Sequence, residues 1–458
     1  MMQRQLECIG IRVAGVILFA VMTSAKEPHD MMKTETRGDL AAELTQSLQE
    51  QILDRWYPLV IDTEHGGYLT RFSAAWEAQG PQDKMIVTQA RNVWTTARAA
   101  EFFPDNKVYL PASTHGAAFL RDVMWDKEHG GFYWLVTREG NVKPGPDGQI
   151  GKQAYGQSFA IYALAAYHAV SGDAEALALA QEAFRWLDDH AHDPVHRGYF
   201  DVLSREGDPV RDGGGARPPK DQNSSIHLLE AFTELYRVWP DPHLRTRLEE
   251  MLILIRDTIR TDPGYLTLYF EEDWTPVSFR DASEEERDRN VQFDHISYGH
   301  DVEIAFLMLE AAETLGKEYV PSTMVAAKQM VDHALGSGWD DDVGGFYDQG
   351  YYFKGDTDAT IIRDTKNWWA QAEGLNSLLL MGDHFPDDDA DYHAKFLTQW
   401  NYIKTYLIDL DHGGWYRGGL DKDPDERNAP KAYIWKGNYH NARALMNSAR
   451  RLRSTPER

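Results

Sequence analysis

The sequence predicts an all-α (α/α)6 barrel: six inner helices inside six outer ones, with short β-hairpins in the connecting loops. Three observations predict it. A turn motif, an acidic residue or histidine followed by glycine and an aromatic, recurs six times at spacings of roughly 65 to 80 residues. Between the copies, apolar residues fall at i, i+3, i+4 and i+7, the period of helices. One helix in each repeat is apolar or small-residue-rich all round, as a helix packed on every side must be.

The turns come in order as Glu64-His65-Gly66-Gly67-Tyr68, Glu128-His129-Gly130-Gly131-Phe132 and His196-Arg197-Gly198-Tyr199-Phe200. They continue as Asp262-Pro263-Gly264-Tyr265, Asp342-Val343-Gly344-Gly345-Phe346 and Asp411-His412-Gly413-Gly414-Trp415. The glycines permit tight turns, and the aromatic starts a short strand. The inner helices are expected around Thr88–Ala100, Gln157–Val170, Asn223–Val238, Ser297–Ala312, Asn367–Met381 and Asn438–Leu452. Amphipathic segments such as Ala174–Asp189 and Leu244–Ile259 fit the outer layer. No Pro/Gly/Ser-rich linker divides the chain, so residues 35–455 are expected to form one catalytic barrel.

A formal charge of -25, with 72 acidic against 47 basic residues, argues against nucleic acid and acidic membrane surfaces as partners. Arg4 and Arg12 precede an apolar run, Val13 to Met22, and Thr23-Ser24-Ala25 follows it. Residues 1–25 therefore read as an export signal, too short for a membrane span, which would place the mature protein in the periplasm. The alternative is a cytoplasmic protein that starts at Met31 or Met32. The single cysteine is Cys8, so a chain cleaved after Ala25 would have no thiol for a disulfide, a nucleophile or a metal.

Aligning the inner helices puts Arg91, Gln157, His227, His300, Ala370 and His440 at one register. In a closed barrel such positions face one axis, so three histidines should share a cavity. Glu230, Glu303, Glu373 and Arg443 follow three residues later, about one turn deeper. In each His-x-x-Glu pair the carboxylate is expected to orient its histidine, Glu303 holding His300. Trp369 and Trp435 beside this register suit a sugar-stacking wall. No helix carries His-x-x-x-His or His-Glu-x-x-His, and phosphate, dinucleotide and nucleophile-elbow motifs do not turn up; neither metal nor cofactor is expected. Glu303 and Glu373 leave glycoside hydrolysis open as a rival, and a non-catalytic sugar-binding barrel as another.

At these residues the sequence resembles the N-acylglucosamine 2-epimerase superfamily, most closely its cellobiose 2-epimerase branch. The resemblance runs from about Leu44 to Arg450. It rests on Ala90-Arg91-Asn92-Val93-Trp94, Asn223-Ser224-Ser225-Ile226-His227-Leu228-Leu229-Glu230, Ser297-Tyr298-Gly299-His300-Asp301-Val302-Glu303, Asn367-Trp368-Trp369-Ala370-Gln371-Ala372-Glu373 and Trp435-Lys436-Gly437-Asn438-Tyr439-His440. It implies an (α/α)6 barrel without cofactor that epimerises an aldose at C2, in this branch the reducing-end sugar of a β-1,4 disaccharide. N-acetylglucosamine epimerisation and aldose–ketose isomerisation are the alternatives on the same barrel. His300 and His440 then match the acid/base pair, with His440 taking the proton from the gluco epimer and His300 returning it. Arg91, His227 and Glu303 match further catalytic positions. Trp369, Glu373, Trp435, Asn223 and Glu230 are expected to bind substrate. Phe306 stands where the family usually carries tryptophan.

Overall fold

The computed structural model describes residues 34–145, 148–212 and 217–454. The expected export signal, Cys8, Met31 and Met32 lie outside the described residues. Twelve principal helices alternate between two layers. The outer layer comprises α1 (Thr34–Ser47), α3 (Tyr109–Phe119), α5 (Ala174–Ala191), α7 (Pro242–Leu254), α9 (Val320–Gly338) and α11 (Tyr392–Tyr402). The inner layer comprises α2 (Ile86–Phe102), α4 (Ala154–Ser171), α6 (Gln222–Val238), α8 (Tyr298–Leu315), α10 (Trp368–His384) and α12 (Tyr439–Arg453). Each inner helix packs on the next, and α12 closes the ring against α2. Inner helices such as α4 are buried almost from end to end, whereas α5 buries a single stripe through Leu179, Ala183, Trp186 and Leu187. Among the described residues no helix is long and apolar enough to cross a membrane.

The turns are pinned by a pattern that the sequence reading caught only in part. In the second turn, Asp126 Oδ1 accepts the backbone N–H groups of Glu128 and His129 at 3.0 and 3.3 Å. Its Oδ2 accepts from buried Lys152 at 3.1 Å and from Arg205 at 3.0 Å. Gly130 and Gly131 take φ of 70° and 69° and lie against Trp186, so both the backbone and the space there require glycine. The same carboxylate–ammonium pair recurs as Asp62–Lys84, Asp193–Lys220, Asp340–Lys366 and Asp409–Lys431, at 2.5 to 2.9 Å. The fourth turn departs: Thr261 and Ile296 stand at the two positions.

Short strands complete the loops. Isolated bridges such as Trp125↔Phe132 close the turns into tight hairpins. Further two-residue ribbons join distant segments, for example Lys152–Gln153 with Val202–Leu203. Each such ribbon ties the start of an inner helix to the chain beyond the following outer helix, which fixes the inner helix's first turn. Those first turns carry the site.

Candidate active site at the mouth of the inner ring

His300 is the third residue of α8 and His440 the second of α12. Both therefore sit at helix N-termini, where the backbone presents partial positive charge to the cavity. Trp369, the second residue of α10, lies between them, its ring 4.8 Å from His300 and 5.7 Å from His440. The two imidazoles thus share one aromatic wall.

The structure revises the register. Gln157 does not face the cavity. Its side chain accepts from Phe132 N–H at 2.7 Å and donates to Phe132 C=O at 2.9 Å, closing a turn. Gln89 and Gln371 make the same pair of bonds to Tyr68 and Phe346. Aligned on these glutamines, His300 and His440 form an upper ring with Ala370. Arg91, His227, Glu303, Glu373 and Arg443 form a second ring one turn deeper. The single register of the sequence alignment merged two because Gln157 resembles a cavity residue in spacing alone.

The partners of the histidines differ from those expected. His227 Nδ1 lies 2.9 Å from Glu230 Oε2, as the i,i+3 spacing suggests. Glu303, in contrast, does not hold His300. It points across the barrel, pairing with Arg443 and lying 3.7 Å from His440 Nδ1. His300 Nδ1 instead meets Ser297 Oγ at 2.9 Å and Gln222 Nε2 at 3.3 Å. His440 Nδ1 meets Glu373 Oε1 at 2.6 Å, so the carboxylate that supports this histidine comes from α10. His300 thus pairs with the residues at two helix starts and not with the carboxylate one turn below it, and His440, which has Arg443 one turn below, takes its carboxylate from α10.

Beneath the histidines, Arg443 gathers three carboxylates. It donates to Glu230 and Glu303, and to Glu373 at 2.6 Å. Burial opposes its charge, but Glu373, Tyr439, Glu230 and Glu303 outweigh that and hold it well above the usual guanidinium value. Burial also pushes Glu230 up, yet Arg443 and His227 win and keep it at about 2. For Glu373 burial wins over Arg443 and lifts the carboxyl to about 7. Burial holds both His300 and His440 well below the ordinary imidazole value. Donor atoms of Glu303, Glu373 and His440 lie within 4.8 Å of one another, a grouping that suits a cation; the Arg443 guanidinium already fills that role. Phe306 is buried behind this cluster with its ring 5.1 Å from the guanidinium, so it shapes the support rather than the sugar wall.

The opposite wall is aromatic. Arg91 donates to Tyr155 OH at 3.1 Å and lies over the rings of Phe159 and Tyr439, at 4.3 and 5.0 Å. His227 packs 4.6 Å from Phe159. Trp435 is 45% exposed at the rim, 6.0 Å from Trp134, which in turn contacts Tyr155. Asn223 is half-buried at the start of α6, and its Oδ1 is a buried acceptor with no bonded partner among the described residues. Sequence reasoning missed Ser297, Gln222, Tyr155 and Trp134. Ser297 and Gln222 precede or open their helices beside motif residues, which was the available signal.

Comparison with known proteins agrees with this fold. The model of the N-acylglucosamine 2-epimerase family matches residues 67–444. A cellobiose 2-epimerase of Bacteroides fragilis is 30% identical over 414 residues, covering 88% of this chain and 97% of its own. A D-mannose isomerase of Marinomonas mediterranea is 24% identical, covering 85% and 92%. The structure of cellobiose 2-epimerase from Spirochaeta thermophila superposes with a TM-score of 0.75 at 29% identity, covering 92% of this chain and 98% of that one.

Proposed function

The chain belongs to the N-acylglucosamine 2-epimerase family, and from that premise we propose that it interconverts the reducing-end glucose and mannose of a β-1,4 disaccharide. It is a sugar 2-epimerase of the isomerase class. The observation that carries the reading is that His300 and His440 both pack against the Trp369 ring, at 4.8 and 5.7 Å.

The C2 hydrogen of an aldose becomes acidic only beside an open-chain aldehyde, so the ring opens first. One imidazole takes the C2 proton to its Nε2, leaving an enediolate. The other delivers a proton to the opposite face and inverts the carbon. Each histidine is the base for one epimer, and imidazole suits both duties because its Nε2 can take a proton or give one up. Arg91 and the converging helix N-termini stabilise the enediolate charge. Trp369 stacks the reacting sugar, while Trp435 with Trp134 offers a platform at the rim for a second ring. Asn223 and His227 bind hydroxyls, and Glu230 holds His227.

Glu303 and Glu373 suit this reading better than hydrolysis. A glycosidase places its two carboxyls either side of a bond, about 5 Å apart or more. Here both grip one guanidinium, with donor atoms within 4.8 Å. Incubation with cellobiose in D2O containing EDTA tests the proposal by NMR. Glucosyl-mannose carrying deuterium at C2 is the expected product; released glucose would overturn the reading in favour of hydrolysis.

A further inference from the structure

The two histidines of the site have unequal partners. His440 Nδ1 lies 2.6 Å from a Glu373 oxygen and 3.7 Å from a Glu303 oxygen. Among the described residues His300 Nδ1 meets a hydroxyl, Ser297 Oγ at 2.9 Å, and an amide, Gln222 Nε2 at 3.3 Å. The titratable groups that weigh most on His300 are His227 on α6, His295 on the segment before α8, His440 on α12 and Arg91 on α2, and among the described residues no carboxylate pairs with its ring. Those facing His440 are Glu303 on α8, Glu373 on α10, Arg91, Arg443 and His227.

A proton added to His300 would therefore create a buried cation facing the Arg91 guanidinium with no carboxylate paired to it. The same proton added to the His440–Glu373 pair neutralises the pair. In a low-dielectric site that difference decides where the proton rests. The partners of His300 also allow it to change state cheaply. A hydroxyl both donates and accepts, and an amide does either after a half-turn, so each can follow Nδ1 whether bare or protonated. The Gln222 Oε1 atom, buried and without a bonded partner among the described residues, is the acceptor such a half-turn would bring to His300.

We propose that the proton moved in each turnover rests on the His440–Glu373 pair, and that Ser297 and Gln222 are positioning residues that hold His300 without a counter-charge, so that it is uncharged between turnovers. The resting enzyme then carries its base at His300 and its acid at His440. In a turnover from that state, His300 Nε2 gains the C2 proton while His440 Nε2 loses one to the opposite face of C2. The proton returns to the His440 side before the next such cycle. The inference rests on the epimerase reading for its meaning, but not for its test.

The test is an NMR titration of the substrate-free full chain with labelled histidines, ring signals being assigned by His300→Asn and His440→Asn. Going down in pH, the His440 ring is expected to become protonated before His300. His300 protonating first, or both together, overturns the proposal, whether or not the wild type exchanges C2 protons. Gln222→Glu gives His300 a carboxylate partner of its own, which should raise the pH at which it protonates by about one to three pH units. The acidic limb of the exchange rate should move with it, while Gln222→Met keeps the wild-type limb. Identical limbs in Gln222→Glu and Gln222→Met overturn the role of Gln222. Ser297→Ala should lower kcat about tenfold with KM unchanged, and Ser297→Thr should restore it; unchanged kcat in Ser297→Ala overturns the role of Ser297.

Discussion

The Asp126 turn and the floor of the barrel both bury carboxylates, and they satisfy them differently. Around Asp126, one carboxylate meets Lys152, Arg205 and two backbone N–H groups, so both of its oxygens are engaged. On the floor, Glu230, Glu303 and Glu373 share one guanidinium, and the Oε2 atoms of Glu303 and Glu373 are buried without bonded partners among the described residues. A saturated pair holds a loop in one state. An undersaturated cluster keeps acid and base strength adjustable, which a fold tolerates where chemistry needs it. Five of the six turns follow the first plan, and the cavity follows the second.

Substitutions should separate the two regions. His300→Ala and His440→Ala should each lower epimerisation by about a thousandfold or more, with the thermal unfolding midpoint within a few degrees of wild type. Near-normal turnover in either variant would break the comparison. Asp126→Asn should do the reverse. It leaves Lys152 buried without its counter-charge, at a cost of about 3 to 5 kcal/mol in urea unfolding, while kcat of the folded fraction stays close to normal.

The pH dependence of stability sharpens the contrast. Burial alone would raise Asp193 and Asp409, but Lys220 and Lys431 lead the opposing bonds and hold both at about 2. Their folded-state values lie below the unfolded one, so the stability they add is present above about pH 4. It is lost as pH falls toward 2, by roughly 2 kcal/mol for each. Unfolding measured between pH 5 and 2 should show this loss, and Asp193→Asn should flatten it. The smallest effect is expected at the rim. Trp435→Ala should raise KM for a disaccharide by about threefold to tenfold and leave kcat nearly unchanged, as removal of one stacking contact does.

Most of the architecture was legible because each repeat writes the same turn before the same kind of helix. Gly130-Gly131-Phe132 and its counterparts mark the loops, and the all-round apolar α4 or α8 marks the inner layer. The carboxylate half of the turn was harder to read, since Asp126 and Lys152 are distant in sequence and recur as a pair only when two columns are aligned together. The fourth copy, with Thr261 and Ile296, hides that column further.

The site was legible in membership more than in wiring. His300 and His440 both lie against Trp369, and Arg91 lies over the Tyr439 ring next to His440. Which carboxylate serves which histidine depends on how far one inner helix slides along the next. That offset is set by packing between α10 and α12, and spacing along a single helix does not encode it. His227 and Glu230 were paired correctly because both lie on α6. The His440–Glu373 contact crosses between helices, so no i,i+3 rule could reveal it.

The central claim is that His300 and His440 are the two bases, one for each epimer. C2-proton exchange in D2O, measured for His300→Ala and His440→Ala from each purified epimer, tests it most directly. The account predicts that neither variant epimerises, and that each still exchanges the C2 proton of one epimer only, the two variants choosing opposite epimers. A variant that exchanges both epimers, or that converts one into the other at a rate near wild type, would contradict it.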